Sequence, residues 1–292
     1  MKEKKLFDYK VIENEGSKSI TINSLGFLVD EISDLVIPSE IDGIPVTCIG
    51  DGAFEEEETL VSVTIPDSVV DLRQSAFAKC VNLTSVKLSN NSNLIYIGPE
   101  AFYGCRNLID ITLPNNIIHI CCGAFQHCTS LQNINIPNGI LSIDNFAFKN
   151  CVNLSNVIIP DSVVYLGACA FDACKSLRSV VLPNNIEGIY NDTFFGCSNL
   201  TDITIPNNVK FIGARAFRGC SKLTNINIPD NIKYIGNSAF AGCSKLTNIN
   251  IPDNIKYIGN EAFARCKKLD NVILPKKSVV FIGENAFNKE ID

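Results

Sequence analysis

The densest set of chemically competent side chains is His119, Cys121, Cys122, His127 and Cys128, whose imidazoles and thiols stand at spacings superficially like those of a zinc site. Four of them would have to converge on one ion. Other resources for catalysis are thin: the chain has only 2 histidines, and no Gly-rich phosphate loop, nucleophile elbow or metalloprotease helix motif occurs. Carboxylates are plentiful, but the recurrent Asp67, Asp161, Asp230 and Asp253 each follow a proline and read as turn residues. Of the 13 cysteines, nine (Cys80, Cys105, Cys128, Cys151, Cys174, Cys197, Cys220, Cys243 and Cys266) stand three residues after a phenylalanine. That regularity points to packing before chemistry.

The phenylalanines set the frame. Ala-Phe recurs at Phe54, Phe77, Phe102, Phe125, Phe148, Phe171, Phe217, Phe240, Phe263 and Phe287, with Thr-Phe at Phe194; eight of the ten intervals are 23 residues, the others 25 and 24. Both longer intervals fall where a loop can lengthen. Each unit offers about eight apolar positions on one side, too few for a core, so neighbours must stack into a solenoid. Residues 223–228 alternate apolar and polar and are rich in β-branched side chains, which predicts a short strand with Ile226 and Ile228 inward, stopped by Pro229. A second extended segment follows at 232–235. Asn237, Asn191, Asn145 or Asp51 then caps a short helical turn that carries Ala-Phe inward. The expectation is an α/β solenoid of about eleven turns, at ~4.8 Å per turn a rod of roughly 50 Å.

This frame decides the chemistry. It places Cys128 inward, His119 outward and His127 at the end of the helical turn, so no metal or other cofactor is expected, and no catalytic residue is assigned. Parallel rungs ~4.8 Å apart keep Cβ atoms beyond the ~3.5–4.5 Å that a disulfide needs, so the ladder cysteines are expected to be free thiols. Residues 1–34 lie outside the repeat and hold two candidate strands, 7–12 and 19–23, read as a β-hairpin cap continuous with a 35–292 solenoid in one domain. Glu57 and Glu290 replace the cysteine at the terminal units, as polar caps should. Residues 219–237 recur unchanged at 242–260, the mark of a tandem duplication.

The units read Leu-x-x-Ile-x-Ile-Pro-x-x-Val-x-x-Ile-Gly-x-x-Ala-Phe-x-x-Cys, and over about residues 35–288 the chain resembles the BspA-like leucine-rich repeats. Residues 35–54 are similar to that family's first unit, with its longer loop. Arg73, Cys121, Asp144 and Tyr190 depart from the glycine of the pattern, so that position does not demand a positive φ. The resemblance implies a leucine-rich-repeat solenoid. It also implies, as an alternative function, a cell-surface adhesin or host-contact role, with any signal or anchor outside this chain.

Function is expected on the positions the repeat leaves free, as a non-catalytic protein-protein interaction module. Most outward strand positions are small and polar; Ile158 and Val181 are adjacent apolar exceptions. The second segment carries the column Tyr96, His119, Ser142, Tyr165, Gly188, Phe211, Tyr234, Tyr257 and Phe281, with Lys210, Lys233 and Lys256 beside its last aromatics. Candidate partner-binding residues are therefore Ile158, Val181, Tyr165, Phe211, Tyr234, Tyr257, Lys233 and Lys256. A protein partner fits this surface best and a glycan also fits; nucleic acid does not, because three lysines make a weak electrostatic footprint. Over residues 1–75 there are 6 basic and 16 acidic groups, and over 205–292 there are 13 and 7, ends of -10 and +6 that would orient a partner or permit weak head-to-tail self-association.

At 292 residues, net charge -6, 46% hydrophobic and 19% charged, the chain is not a disordered tail. No run approaches the roughly 18 apolar residues of a membrane span. Its basic start has no apolar segment behind it and is not a secretory signal. A cytoplasmic location is expected if Met1 is the native start, and a surface or secreted one if the chain is an excised domain.

Overall fold

Alternating β-branched side chains favour pleated strands that bury one face. In the structure, a computed structural model that describes residues 6–26, 32–89, 92–276 and 281–287, they form two parallel ribbons along a solenoid. The chain opens with β1 (Phe7–Asn14) and β2 (Ser17–Leu25), antiparallel about Glu15 and Gly16, both at positive φ as a tight hairpin turn requires. β3 (Asp34–Val36) starts the main ribbon, which continues in parallel register through Ser62–Thr64, Ser85–Lys87, Asp110–Thr112, Asn133–Asn135, Asn156–Ile158, Ser179–Val181 and Asp202–Ile203. After β4 (Glu40–Ile41), β5 (Ile44–Ile49) starts the second ribbon, from Asp71–Leu72 on to Tyr165–Leu166, and the same segment then recurs from Gly188–Ile189 to Phe281–Ile282.

The hairpin lies where the repeat needs a cover. β2 pairs in parallel with β5, and the Phe7 ring meets Phe54 edge-on at 6.5 Å, so the first inward phenylalanine is closed off from water. Both strands run longer than their hydrophobic pattern predicts, because pairing extends through the polar residues beside the turn. Glu57 is half-buried at the first lap, while Glu290 lies outside the described residues.

Inside, the phenylalanines stand in file. From Phe54 to Phe263 every ring of the column is 0% exposed, and successive rings lie nearly parallel at centroid distances of 5.1 to 5.7 Å. Stacked pairs of this kind contribute about 0.5–1.5 kcal/mol each beyond the area they bury. Since no lap closes its own core, each ring is covered by its two neighbours.

The third side of each lap is not helical, which corrects the expected helical turn: among the described residues there is no α-helix. Two positions four apart, flanking the phenylalanine, take positive φ, as at Cys169 (57°) and Ala173 (58°) around Phe171. A helix repeats one right-handed conformation, so a left-handed residue at each end of a five-residue stretch breaks it. The N–H groups of Cys169, Phe171 and Ala173 donate to the carbonyls of Asn191, Thr193 and Phe195 in the next lap, at 3.0, 2.9 and 2.7 Å. The intervening amides turn back three residues, as from Asp172 to Cys169 at 3.1 Å. Lap-to-lap pairing thus takes the donors a helix would have kept.

The expected caps serve the same pairing. Asn145 Oδ1 accepts the amide of Ala168, Asn191 that of Ala214, and Asn237 that of Asn260, at 2.8 to 2.9 Å and each 23 residues on. Asp51 accepts from Gln74 in the same way. The glycine column is tight without being left-handed: a Cβ on Gly236 would lie 2.4 Å from the amide nitrogen of Ala214. Close approach of backbones accounts for that glycine.

Candidate interaction surfaces

Because inward positions are committed to packing, the candidate site is built from side chains that alternate outward. Asn156, Val157 and Ile158 pair in register with Ser179, Val180 and Val181. The two valines at the centre are buried, and Ile158 and Val181 project side by side at 69% and 55% exposure. Ser179 donates to Asn156 Oδ1 at 2.9 Å beside them, so this part of the sheet is cross-linked and its apolar pair stands on a stiff base.

The second column does not form one continuous stack. Tyr96 and His119 lie parallel at 5.5 Å, and His119 Nδ1 meets Ser142 Oγ at 2.8 Å. Gly188 then leaves a gap. Phe211 leans into it, so closely that a Cβ on Gly188 would be 2.2 Å from Phe211 Cζ. Tyr190 meets both neighbours edge-on, Tyr165 at 5.4 Å and Phe211 at 5.2 Å. Sequence reasoning left Tyr190 out of the surface, since it occupies the glycine position. The signal was present: Gly188 and Tyr190 break the pattern in one lap and compensate for each other. Burial, with Tyr190 and Asp144 nearby, raises the Tyr165 pKa, and its hydroxyl donates to Asn145 at 3.1 Å.

A second group consists of Tyr234, Tyr257 and Phe281, stacked at 4.7 and 4.8 Å. Tyr234 and Phe281 are exposed and Tyr257 is half-buried. Lys233 and Lys256 stand exposed at the foot of this stack, and the amide of Lys256 donates to the Lys233 carbonyl at 2.8 Å. Lys210 pairs with Glu187 at 2.6 Å. The structure therefore divides the eight predicted residues into three places: Ile158 with Val181 on the main ribbon, Tyr165 with Phe211 around Tyr190, and Tyr234 with Tyr257, Lys233 and Lys256 further along.

The zinc-like residues part company. Cys128 is buried and its thiol donates to the Phe102 carbonyl at 3.1 Å, while His127 meets the edge of Tyr103 at 5.5 Å. Burial lowers the His127 pKa, helped by Lys149 and Arg106. Burial with Asp144 nearby pushes the Cys121 thiol up to about 11. Among the described residues no three His, Cys, Asp or Glu side chains gather as metal ligands, all 13 cysteines are free, and no helix is long and apolar enough to cross a membrane. One shallow depression of about 300 Å³ is lined by Glu56, Lys79, Tyr103, Arg106 and His127, with Lys79 already held by Glu56 at 2.6 Å.

Comparison with known proteins agrees with this architecture. A leucine-rich cell surface protein of Faecalibacterium prausnitzii is 23% identical with a TM-score of 0.52, covering 91% of this chain and 92% of its own. The pneumococcal vaccine antigen PcpA is 21% identical with a TM-score of 0.67, over 96% and 77%. A leucine-rich repeat protein of T. pallidum is 29% identical with a TM-score of 0.52, over 76% and 89%. No curated protein sequence matches the chain. The BspA type leucine-rich repeat region matches residues 20–120, 95–221 and 188–291, in six copies. With matches along nearly its whole length, and with inward phenylalanines and cysteines in file, the chain belongs to the BspA-type leucine-rich repeat family.

Proposed function

We propose that this chain is a non-catalytic protein-interaction module that offers its outward columns along a rigid repeat. Leucine-rich repeat proteins are in general binding modules of this kind. The observation that best supports the reading is the pair Ile158 and Val181, large, apolar and exposed on a ribbon otherwise faced mostly by small polar groups. Apolar side chains held on fixed strands lose little freedom when a partner covers them, which favours binding. Tyr165, Phe211, Tyr234, Tyr257, Lys233 and Lys256 extend the surface along the second ribbon. The test is to identify partners by affinity capture, then measure each against Ile158→Ser/Val181→Ser and Tyr234→Ala/Tyr257→Ala. The reading expects at least one pair to weaken binding about tenfold or more with the melting temperature unchanged. Full affinity in both variants overturns it.

The reading treats residues 1–34 and 35–292 as one continuous domain, supported by the pairing of β2 with β5. A single unfolding transition is expected; two separated ones would contradict it.

A second reading is a cell-surface or host-contact role. Two proteins that share the fold are named as a cell surface protein and a vaccine antigen. Labelling intact cells that express the native gene with a membrane-impermeant reagent tests it: an unlabelled chain speaks against surface display.

A further inference from the structure

The C-terminal laps concentrate positive charge in a regular pattern. Residues 205–276 hold eleven basic and four acidic side chains. Lys222, Lys245 and Lys268 recur 23 residues apart just before residues 225–227 and the parallel strands Asn248–Asn250 and Asn271–Ile273, which follow the main ribbon, and Lys210, Lys233 and Lys256 recur after the proline turn. Two laps, those of Lys222 with Lys233 and of Lys245 with Lys256, therefore carry one lysine on either side of their outward asparagines, and Lys268 and Lys210 extend one ladder each. All six are exposed, and apart from Lys210, which Glu187 holds, none makes a side-chain hydrogen bond or ion pair among the described residues. Stacking free ammonium groups at rungs of ~4.8 Å on a stiff frame costs repulsion that a matching polyanion would relieve.

The strip between the two ladders is paved with amides. Asn225, Asn227, Asn248 and Asn250 are exposed, and the side chains of Asn227 and Asn250 make no hydrogen bond among the described residues. A carboxamide both donates and accepts, which suits hydroxyl groups. Three carboxylates border the strip, Asp230, Asp253 and Asp270, and Asp253 is engaged by the amide of Lys276 at 2.8 Å. The aromatics beside it do not favour nucleic acid: Tyr234, Tyr257 and Phe281 cover one another's faces, whereas unpaired bases need free ring faces.

We propose that this face binds an anionic polysaccharide laid along the solenoid axis, its acid groups on the two lysine ladders and its hydroxyls on the asparagine strip. The tandem duplication of residues 219–237 at 242–260 lengthens this site by one lap, carrying a lysine of each ladder and two asparagines with it.

The test uses the full chain and immobilised heparin over a salt series, with polyglutamate and an oligothymidylate of matched charge as comparators. Heparin is expected to bind more tightly than either. The variant Lys222→Gln/Lys233→Gln/Lys245→Gln/Lys256→Gln should lose about tenfold or more and show a flatter salt dependence. Asn227→Val/Asn250→Val should weaken heparin several-fold and leave oligothymidylate unchanged; Val181 already occupies that column, so the backbone accepts the change. Lys18→Gln on the N-terminal hairpin should have no effect. Absence of heparin binding at about 50 mM salt, comparators that bind as well, or either multiple variant binding like the parent overturns the proposal.

Discussion

The thiol of Cys174 donates to the carbonyl oxygen of Phe148 in the preceding lap, at 3.1 Å. The same bond, at 3.0 to 3.2 Å, joins each ladder cysteine from Cys80 to Cys266 to the phenylalanine of the lap before. The ladder thus gives its buried thiols an acceptor without any sulfur-sulfur bond. A thiol fills the apolar file as a small hydrophobe and still supplies a weak donor.

Burial raises the pKa of the ladder thiols from Cys105 onward, to about 12 for Cys266 against 9.0 for a free cysteine. Between those values the folded state keeps a proton that the unfolded state has lost, so stability must fall as pH rises. Urea midpoints are expected to hold steady up to about pH 9 and then decline. At pH 8 a maleimide should label exposed Cys122 first, and the ladder cysteines only in denaturant. Labelling of Cys174 in the native protein would contradict the packing.

Phe171 is 0% exposed and lies between Phe148, at 5.3 Å, and Phe194, at 5.7 Å. Phe171→Ala should cost about 3–5 kcal/mol, with hydrogen exchange rising first in the adjoining laps. A loss below about 1 kcal/mol would mean that the rings are not in mutual contact.

The left-handed residues offer a direct test of the non-helical side. Ala173 stands at φ 58° and Gly219 at φ 78°, in the same column. Ala173→Gly should stabilise the protein by roughly 1 kcal/mol and Gly219→Ala should cost about as much. A helical turn would give the opposite signs, because glycine is the poorer helix former. Urea unfolding of the two variants reads the sign.

Gly188 is required by its neighbour Phe211. Gly188→Ala should destabilise by about 1–3 kcal/mol through overpacking. Phe211→Ala in the same chain should remove that penalty, since the clashing ring is gone. A double-mutant cycle measures the coupling, and additive effects would show that the ring does not occupy the gap.

How much of this was legible follows from the range of each interaction. The 23-residue period, the inward phenylalanines, the free cysteines and the hairpin over the first lap can all be read from residue type, because burial leaves a periodic mark on composition. The helical turn could not be judged that way. Ala-Phe framed by Asn and Cys suits a helix locally, and the counter-signal was glycine at Gly104, Gly196, Gly219 and Gly242, two residues after the phenylalanine, and at Gly52 and Gly123, two before it. Arg265, Lys79 and His127 hide the same left-handed backbone in other laps.

The surface divides in the same manner. Ile158 and Val181 were recognisable as neighbours because strand register follows the repeat, and Lys233 and Lys256 because the period stacks them. That Tyr165 and Phe211 meet through Tyr190 depends on rings leaning between laps, which no single unit encodes.

By itself, then, the amino-acid order determined which side chains leave water and how many laps must stack, since hydrophobic burial is roughly additive along a periodic chain. Only the tertiary structure decided where the backbone amides of the phenylalanine segment point and which aromatic rings touch. Those choices are made between laps, where a neighbouring carbonyl or an absent Cβ outweighs local propensity.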